Sequence, residues 1–403
     1  MNVQCCICGG GPAGMMLGLL LARAGLHVTV LEKHRDFLRD FRGDTIHPST
    51  LQLLHELGLA EEFLRLPHQE VREIRAQIGD TLLPVADFSR LQVRSPFIAM
   101  IPQWDFLDFL AHHAARYPGF ELRMQSEATG LLFDGSRVVG VKASGPGGEL
   151  EIRAELVVGA DGRHSLVRSA AGLEVVDLGA PIDVLWFRLS KRPGDRAVTM
   201  GRFDRGRIVV MLDRGDYWQC ALVIGKGSLD ALRAQGLEAL RRRIAASLPF
   251  ESERSREIAS WQDLKLLTVQ VNRLRRWYRE GLLCIGDAAH AMSPVGGVGI
   301  NLAIQDAVAA ANILYRGDFG VESLRAVQAR RALPTRVTQS FQVVVQNLIL
   351  RRVLAGDAEP GARFKPPLAV RMLGRFAFLR RIPARMIGLG VRPEHVRSPA
   401  VAS

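Results

Sequence analysis

Cysteine is sparse and poorly placed for cross-linking. The chain of 403 residues has five, with Cys5, Cys6 and Cys8 crowded into one apolar run and Cys220 and Cys284 standing alone. A zinc site needs further Cys or His ligands at set spacing, and none follow this cluster, so no metal is expected. Small buried strand residues in a reducing compartment account for the thiols, alternation turning Cys6 and Cys8 to one face and Cys5 to the other. No run of about eighteen uncharged apolar residues occurs, which speaks against a spanning helix. No basic leader precedes the first apolar run, which speaks against a signal peptide and for a cytoplasmic protein. Internal repeats and compositional bias are also lacking, so neither a repeat array nor a disordered chain is expected.

Negative charge is the scarcer sign. Asp and Glu number 41 against 53 Lys and Arg, a net +12, and from Arg351 onward eleven basic residues face three acidic ones. No recognition motif or regular aromatic interleaving accompanies this excess, so nucleic acid is not the expected partner. The tail also carries Leu373, Phe376, Phe378, Leu379, Ile382, Met386 and Ile387 among its arginines. A helix pair packed on its own protein is the first reading of that pattern, and peripheral membrane contact the second.

What is present is glycine in register with strands and helices. Residues 3–9 read as a strand, Pro12–Ala24 as a helix stopped by Gly25, and His27–Glu32 as a second strand, together a βαβ unit with parallel strands. Helices follow near Pro48–Leu57 and Trp104–Arg116, and residues 120–158 alternate like a meander. Between about 181 and 280 β-rich runs dominate, interrupted by one helical stretch at Leu229–Ser247. Gly281–Gly286 then reads as a buried parallel strand and Asn301–Leu314 as an Ala-rich helix. The expectation is an α/β fold in which a Rossmann-like dinucleotide domain is discontinuous, spanning 1–70, 98–180 and 281–335. A mainly antiparallel β-sheet lobe (71–97 and 181–280) is inserted in it, and a basic helical segment (336–403) follows.

Three constellations carry the chemistry. Gly9-Gly10-Gly11-Pro12-Ala13-Gly14 is a G-x-G-x-x-G that closes a strand and opens a helix. Gly9 permits the tight turn, Gly11 admits a pyrophosphate, and Gly14 lets helix and strand pack closely. Glu32, at the end of the second strand, is placed to accept hydrogen bonds from an adenosine ribose, and Lys33 beside it is expected at the cofactor too. The second is Gly159-Ala160-Asp161-Gly162-Arg163, directly after a strand; taken alone, Asp161 could equally cap the next helix. The third is Gly286-Asp287-Ala288-Ala289-His290, continued by Ser293-Pro294-Val295-Gly296-Gly297-Val298-Gly299-Ile300-Asn301. Its aspartate ends a strand where α/β folds bind ligands, and its glycines expose backbone N–H groups at a helix start, suited to a group that gains negative charge.

These segments, in this order and spacing, resemble the p-hydroxybenzoate-hydroxylase-like FAD-dependent monooxygenases. The resemblance implies FAD held by Gly9–Gly14, Asp161, Gly286-Asp287 and the Pro294–Asn301 loop. It adds Arg42, matching an arginine that lies along the FAD, and Gln103, matching a residue at the diphosphate. It further implies NADPH or NADH as a transient co-substrate and O2, with a flavin C4a-hydroperoxide hydroxylating an aromatic or otherwise electron-rich small molecule. No second glycine fingerprint appears, which fits a nicotinamide that visits rather than docks. A flavin oxidoreductase working by hydride transfer alone, or a flavin-bearing accessory protein without turnover, are the competing readings. For a catalytic acid or base only His47 stands out, beside the probable flavin segment at a turn before Pro48. Trp186, Arg188, Met211, Tyr217 and Trp218 could line a substrate pocket, although aromatics in alternating strands are usually core. A monomer or homodimer acting on a lipophilic aromatic substrate completes the expectation.

Overall fold

A computed structural model describes residues 2–38, 45–195, 200–204, 206–248, 252–347 and 366–401. Strand β1 (Asn2–Cys8), helix α1 (Pro12–Arg23) and strand β2 (Val28–Leu31) form the opening βαβ unit, β1 and β2 parallel with Cys5 opposite Val28. All five cysteines are buried free thiols, and burial pushes those of Cys220 and Cys284 well up, so they behave as small apolar side chains.

The chain continues through β3 (Thr45–Ile46), α2 (Pro48–Glu56), α3 (Ala60–Phe63), β4 (Gln69–Val71), β5 (Glu73–Ile78), β6 (Thr81–Asp87), β7 (Ile98–Met100) and α4 (Gln103–Ala114). It returns to the first sheet with β8 (Phe120–Arg123), β9 (Glu127–Asp134), β10 (Arg137–Gly145) and β11 (Gly148–Gly159), then α5 (Leu166–Ala170) and β12 (Val175–Asp177). Strands β13 (Ile182–Ser190), β14 (Met200–Asp204), β15 (Arg207–Asp213) and β16 (Tyr217–Gly225) follow, with helices α6 (Leu229–Ala234) and α7 (Leu237–Ala245). Short strands β17 (Lys265–Leu267), β18 (Asn272–Leu274), β19 (Tyr278–Arg279) and β20 (Leu282–Cys284) lead to α8 (Gly299–Leu314) and α9 (Val321–Val345). Helices α10 (Leu368–Arg375) and α11 (Arg381–Gly388) lie near the end.

Two large sheets organise most of these strands, with β3-β7-β4 and β12-β18 forming small ones. The first runs β19-β20-β11-β1-β2-β8, with β10 and β9 continuing from β11; β20, β11, β1, β2 and β8 are mutually parallel. The second runs β17-β13-β16-β15-β14-β5-β6 and is antiparallel except where β14 meets β5. It is thus an α/β fold with a Rossmann-like sheet and a mainly antiparallel second sheet.

Two sequence expectations fail locally. The alternating stretch 120–158 is not wholly a meander, because β8 leaves it to pair in parallel with β2. Phe120 packs where a Cβ on Gly18 of α1 would lie, 2.9 Å from its ring, so β8 is anchored to the helix layer. The helix expected over 229–247 is two helices, broken where Gly236 adopts φ +84°. Helix α8 belongs to an apolar run, Val295–Leu314, long enough to cross a membrane, yet 72% of that window is buried inside the molecule. It packs on α1 and α9 as a core helix.

Candidate functional site

Four adjacent parallel strands, β20, β11, β1 and β2, end on the same edge of the first sheet, and the segments singled out above follow those ends one for one. Gly286-Asp287 follows β20, Asp161 follows β11, the Gly9–Gly14 turn follows β1 and Glu32 follows β2. Such an edge, where crossovers leave β1 on both sides, is where open α/β sheets form a ligand crevice.

Backbone proximity welds the segments together. A Cβ on Gly9 (φ +110°) would lie 2.4 Å from the Ala160 carbonyl, so the first turn rests directly on the Asp161 loop. One on Gly14 would lie 2.0 Å from the Gly9 carbonyl, and one on Gly286 (φ +59°) would be wedged between Ala13 of α1 and Ala303 of α8 at 3.2 and 3.1 Å. Arg163 reaches Asp287 at 3.7 Å, and the buried Arg168 donates to the Ala288 carbonyl at 3.2 Å. Gly11 differs from all of these: a Cβ there would meet nothing within 4 Å.

Helices α1 and α8 both begin here, with no side-chain cap and no acidic residue in the first turn. Their first N–H groups and positive dipole ends suit an anionic ligand. Glu32 is buried and already braces the turn, accepting from Gly10 N at 3.1 Å and His34 N at 3.0 Å. Asp161 meets its capping reading, Oδ2 accepting from Val167 N at 3.0 Å at the start of α5, while Oδ1 is buried without a partner. Gln103 opens α4. Lys33 is exposed, with its ammonium 3.7 Å from Glu127. Arg42 falls outside the described residues.

The Pro294–Asn301 loop is packed against the segment around β3. Thr45 Oγ1 donates to the Gly297 carbonyl, and a Cβ on Gly297 (φ +63°) would collide with that hydroxyl at 2.8 Å. Asn301 Oδ1 accepts from His47 N and Thr50 Oγ1, and its Nδ2 donates to the Thr45 carbonyl at 3.1 Å, so its amide works as a clamp. Ile300 is half-buried beside it at the start of α8. His47 is wholly buried; its Nδ1 donates to the Ile387 carbonyl at 2.7 Å, which leaves Nε2 as a bare acceptor without a partner. Burial pushes the imidazole down to about 4, against the pull of that carbonyl.

A stability measurement follows. Between about pH 6.5 and 4 the unfolded chain protonates His47 while the native state does not, so stability should fall on acidification through that window and level off below it. The full span is about 3 kcal/mol. Denaturant titrations of His47→Phe should lack this component, and an unchanged slope would show that His47 ionises in the fold.

Other residues that hold the site carried no sequence signal. Gln339, Gln342 and Gln346, on one face of the α9 end, grip the flanking loop. Gln339 Nε2 donates to Asn272 O and Ala291 O, Gln342 Nε2 to Ser293 O and Val295 O, and Gln346 Nε2 to Ser293 Oγ. Asp306 of α8 accepts from Gly286 N at 3.1 Å, pairs with His290 at 2.5 Å, and receives Arg331 at 3.0 Å, all buried. Burial alone would raise the Asp306 carboxyl, but His290 and Arg331 hold it below the usual carboxylate range. His290 is thereby committed to structure. Arg331 also pairs with Glu394 at 3.3 Å, tying the C-terminal stretch to this network.

The second sheet sorts the candidate pocket residues. Met211 and Trp218 face α6 and α7 in a core with Phe187, Leu240 and Ile244. Trp186, Arg188 and Tyr217 lie on the opposite face, Arg188 stacked 4.8 Å over Tyr217. The Trp186 indole N–H on this face is buried without a partner. Toward its β5–β6 edge the same face supplies Ile74, Ala86 and Leu212 to a cluster with Ile387 of α11, whose carbonyl holds His47.

A family model described as FAD binding domain matches residues 2–340. The chain is 34% identical to a 6-methylpretetramide 4-monooxygenase of Streptomyces rimosus, over 98% of this chain and 94% of that protein. It is 29% identical, over 76% of its length, to a 12-dehydrotetracycline 5-monooxygenase/anhydrotetracycline 6-monooxygenase of Streptomyces rimosus subsp. rimosus, of which it spans 61%. The p-nitrophenol 4-monooxygenase PnpA from Pseudomonas putida DLL-E4 has the same fold, with a TM-score of 0.79 at 20% identity, over 95% of this chain and 97% of that one.

Proposed function

The chain belongs to the FAD-binding-domain family, and from that premise we propose that it is an NAD(P)H-dependent aromatic hydroxylase of the FAD monooxygenase class. The observation that carries the reading is the convergence of four glycine- or acid-bearing segments on the ends of four neighbouring parallel strands, with open space over Gly11. The pyrophosphate of FAD fits over Gly11 at the start of α1, where Gly11, Pro12, Ala13 and Gly14 offer backbone rather than side chain. Glu32 fits the adenosine ribose, and Asp161 and Asp287 the stretch between pyrophosphate and ring. The start of α8, reached through Pro294, Gly297, Gly299 and Ile300, fits the edge of the ring that becomes anionic on reduction.

Bound FAD supplies the redox chemistry: reducing equivalents from NAD(P)H, and one oxygen atom of O2 to the substrate with the other released as water. The chain's own residues orient and shield. Asn301 fixes Thr45–Thr50 against the α8 start, and the cluster of Leu212, Met100 and Ile387 excludes water. His47, neutral at physiological pH, offers Nε2 to a donor of the bound ligand, and Trp186 offers its indole N–H to an oxygen on the substrate. A sheet face that joins apolar and aromatic side chains to the unpartnered indole donor of Trp186 suits an oxygenated aromatic ring system of the pretetramide and anhydrotetracycline kind.

The test is turnover of such a compound with isotopically labelled dioxygen. A product carrying one labelled oxygen, with substrate-stimulated NAD(P)H oxidation, is expected. Oxidation of NAD(P)H with an unlabelled, reduced product would make this a hydride-transfer oxidoreductase. A yellow protein with no stimulation by any such ring system would overturn the catalytic reading.

A further inference from the structure

Helices α10 and α11, with the short turn Ala377–Arg380 between them, bury one side on the molecule and turn a second apolar side to solvent. Their small residues face inward: a Cβ on Gly374 would lie 2.7 Å from the Leu83 side chain of β6, one on Gly388 would lie 3.1 Å from Leu91 and Phe88, and Ala384 is fully buried. Leu373, Leu379, Met386 and Ile387 are half-buried, whereas five other large apolar residues face outward. Leu368 is 71% exposed, Phe378 67% and Ile382 63%, with Met372 and Phe376 also exposed. Arg371, Arg375, Arg381 and Arg385 stand between them, also exposed. Residues 366–388 hold five arginines and no acidic residue. The fifth, Arg380, is built into the turn, donating to Leu373 O and Gly374 O.

Exposing five large apolar side chains within fifteen positions carries a solvation cost of the kind that marks an interaction surface. We propose that this face docks on an anionic lipid surface, the apolar side chains entering the acyl boundary and the arginines meeting the headgroups. Charge selects that occupant. A second copy related by a two-fold axis would set arginines against arginines with no acid to answer them. A protein partner would bury a charge-depleted centre, whereas here every exposed apolar residue has an arginine within about one turn. A headgroup layer needs no such centre, because arginine stems lie along the apolar surface while their heads stay at the phosphates. The inference stands on the surface alone and is independent of what the crevice binds.

The experiment is co-sedimentation of the purified full-length protein with vesicles of phosphatidylcholine alone and with about one-third phosphatidylglycerol. Binding to the anionic vesicles only, weakened by salt, is expected. Phe378→Ser/Ile382→Ser and, separately, Arg381→Glu/Arg385→Glu should each lower binding at least about tenfold with melting temperature and flavin content unchanged. Because these side chains project from the surface, loss of binding cannot be laid to a collapsed core. Failure of the wild-type protein to bind anionic vesicles at low salt overturns the proposal, as does undiminished binding by the Ser variant. A dimer in solution that the Ser variant dissolves, or capture by polyglutamate without capture by vesicles, overturns it in favour of a self-interface or an acidic protein.

Discussion

Replacing Gly11 by Val should leave the flavin-free protein as stable as the wild type, within about 0.5 kcal/mol, and weaken FAD binding by about 10- to 100-fold. Gly11 has φ −75° and ψ −178°, an extended conformation open to any L-residue, and its Cβ would touch no protein atom within 4 Å. Neither backbone nor packing therefore requires glycine here. What remains is the volume reserved for a ligand, and a branched side chain intruding on it costs about 1–3 kcal/mol of binding. The comparison must use apoprotein, since bound cofactor would itself add stability by mass action. Gly14→Ala is the contrast: its Cβ would lie 2.0 Å from Gly9 O, so helix α1 must shift and both melting temperature and FAD content should fall. If the Gly11 variant retains wild-type FAD affinity, the pyrophosphate does not lie over this turn.

Arg331→Met should cost about 3–5 kcal/mol in chemical denaturation, more than a cavity of that size alone would. The guanidinium is buried between Asp306 and Glu394, and both carboxylates are themselves buried. Removing it leaves Asp306 with His290, and Glu394 with the partly exposed Arg330 at 2.8 Å. The deficit should narrow between about pH 7 and about pH 5, because carboxylates stranded in the interior take up protons in the native state. The wild type behaves oppositely. Its Asp306 carboxyl is held below the unfolded value, so the stability it contributes is present above about pH 4 and lost as pH falls through the lowered range. A double variant, Asp306→Asn/Arg331→Met, should recover part of the loss. Equal stability of the single variant and the wild type at neutral pH would mean that the network is not coupled to folding.

Much of this was legible because glycine carries meaning at fixed positions. Gly9 adopts a positive φ and Gly14 leaves no room for a Cβ, and their spacing from strand and helix announces the tight turn and the close packing. The alternating runs of β13, β15 and β16 likewise gave the second sheet. Phe120–Arg123 misled because a strand of four half-buried residues alternates no differently from the meander beside it. The glutamines of α9 stayed hidden for another reason. A polar stripe at 339, 342 and 346 reads as a solvent face, and nothing local says that its amides are spent on the backbone of residues about fifty positions earlier. Asp306, Arg331 and Glu394 share that limitation: each looks like an ordinary surface charge until the fold brings them together.

The register of β1 has a consequence for synthesis. This strand pairs on one side with β2, close in the chain, and on the other with β11, Asn2 opposite Arg153, and β11 in turn pairs with β20. Glu394, almost at the end, then locks onto Arg330 and Arg331. A ribosome emitting this chain from the N-terminus thus releases the first glycine turn long before its neighbours exist. Strand β1 must wait with one edge unpaired until β11 emerges, and the end of β11 must then wait for β20 while β13 to β17 of the second sheet are made. Such long-range closure predicts slow, chaperone-dependent maturation, with flavin uptake as its last and most easily observed step.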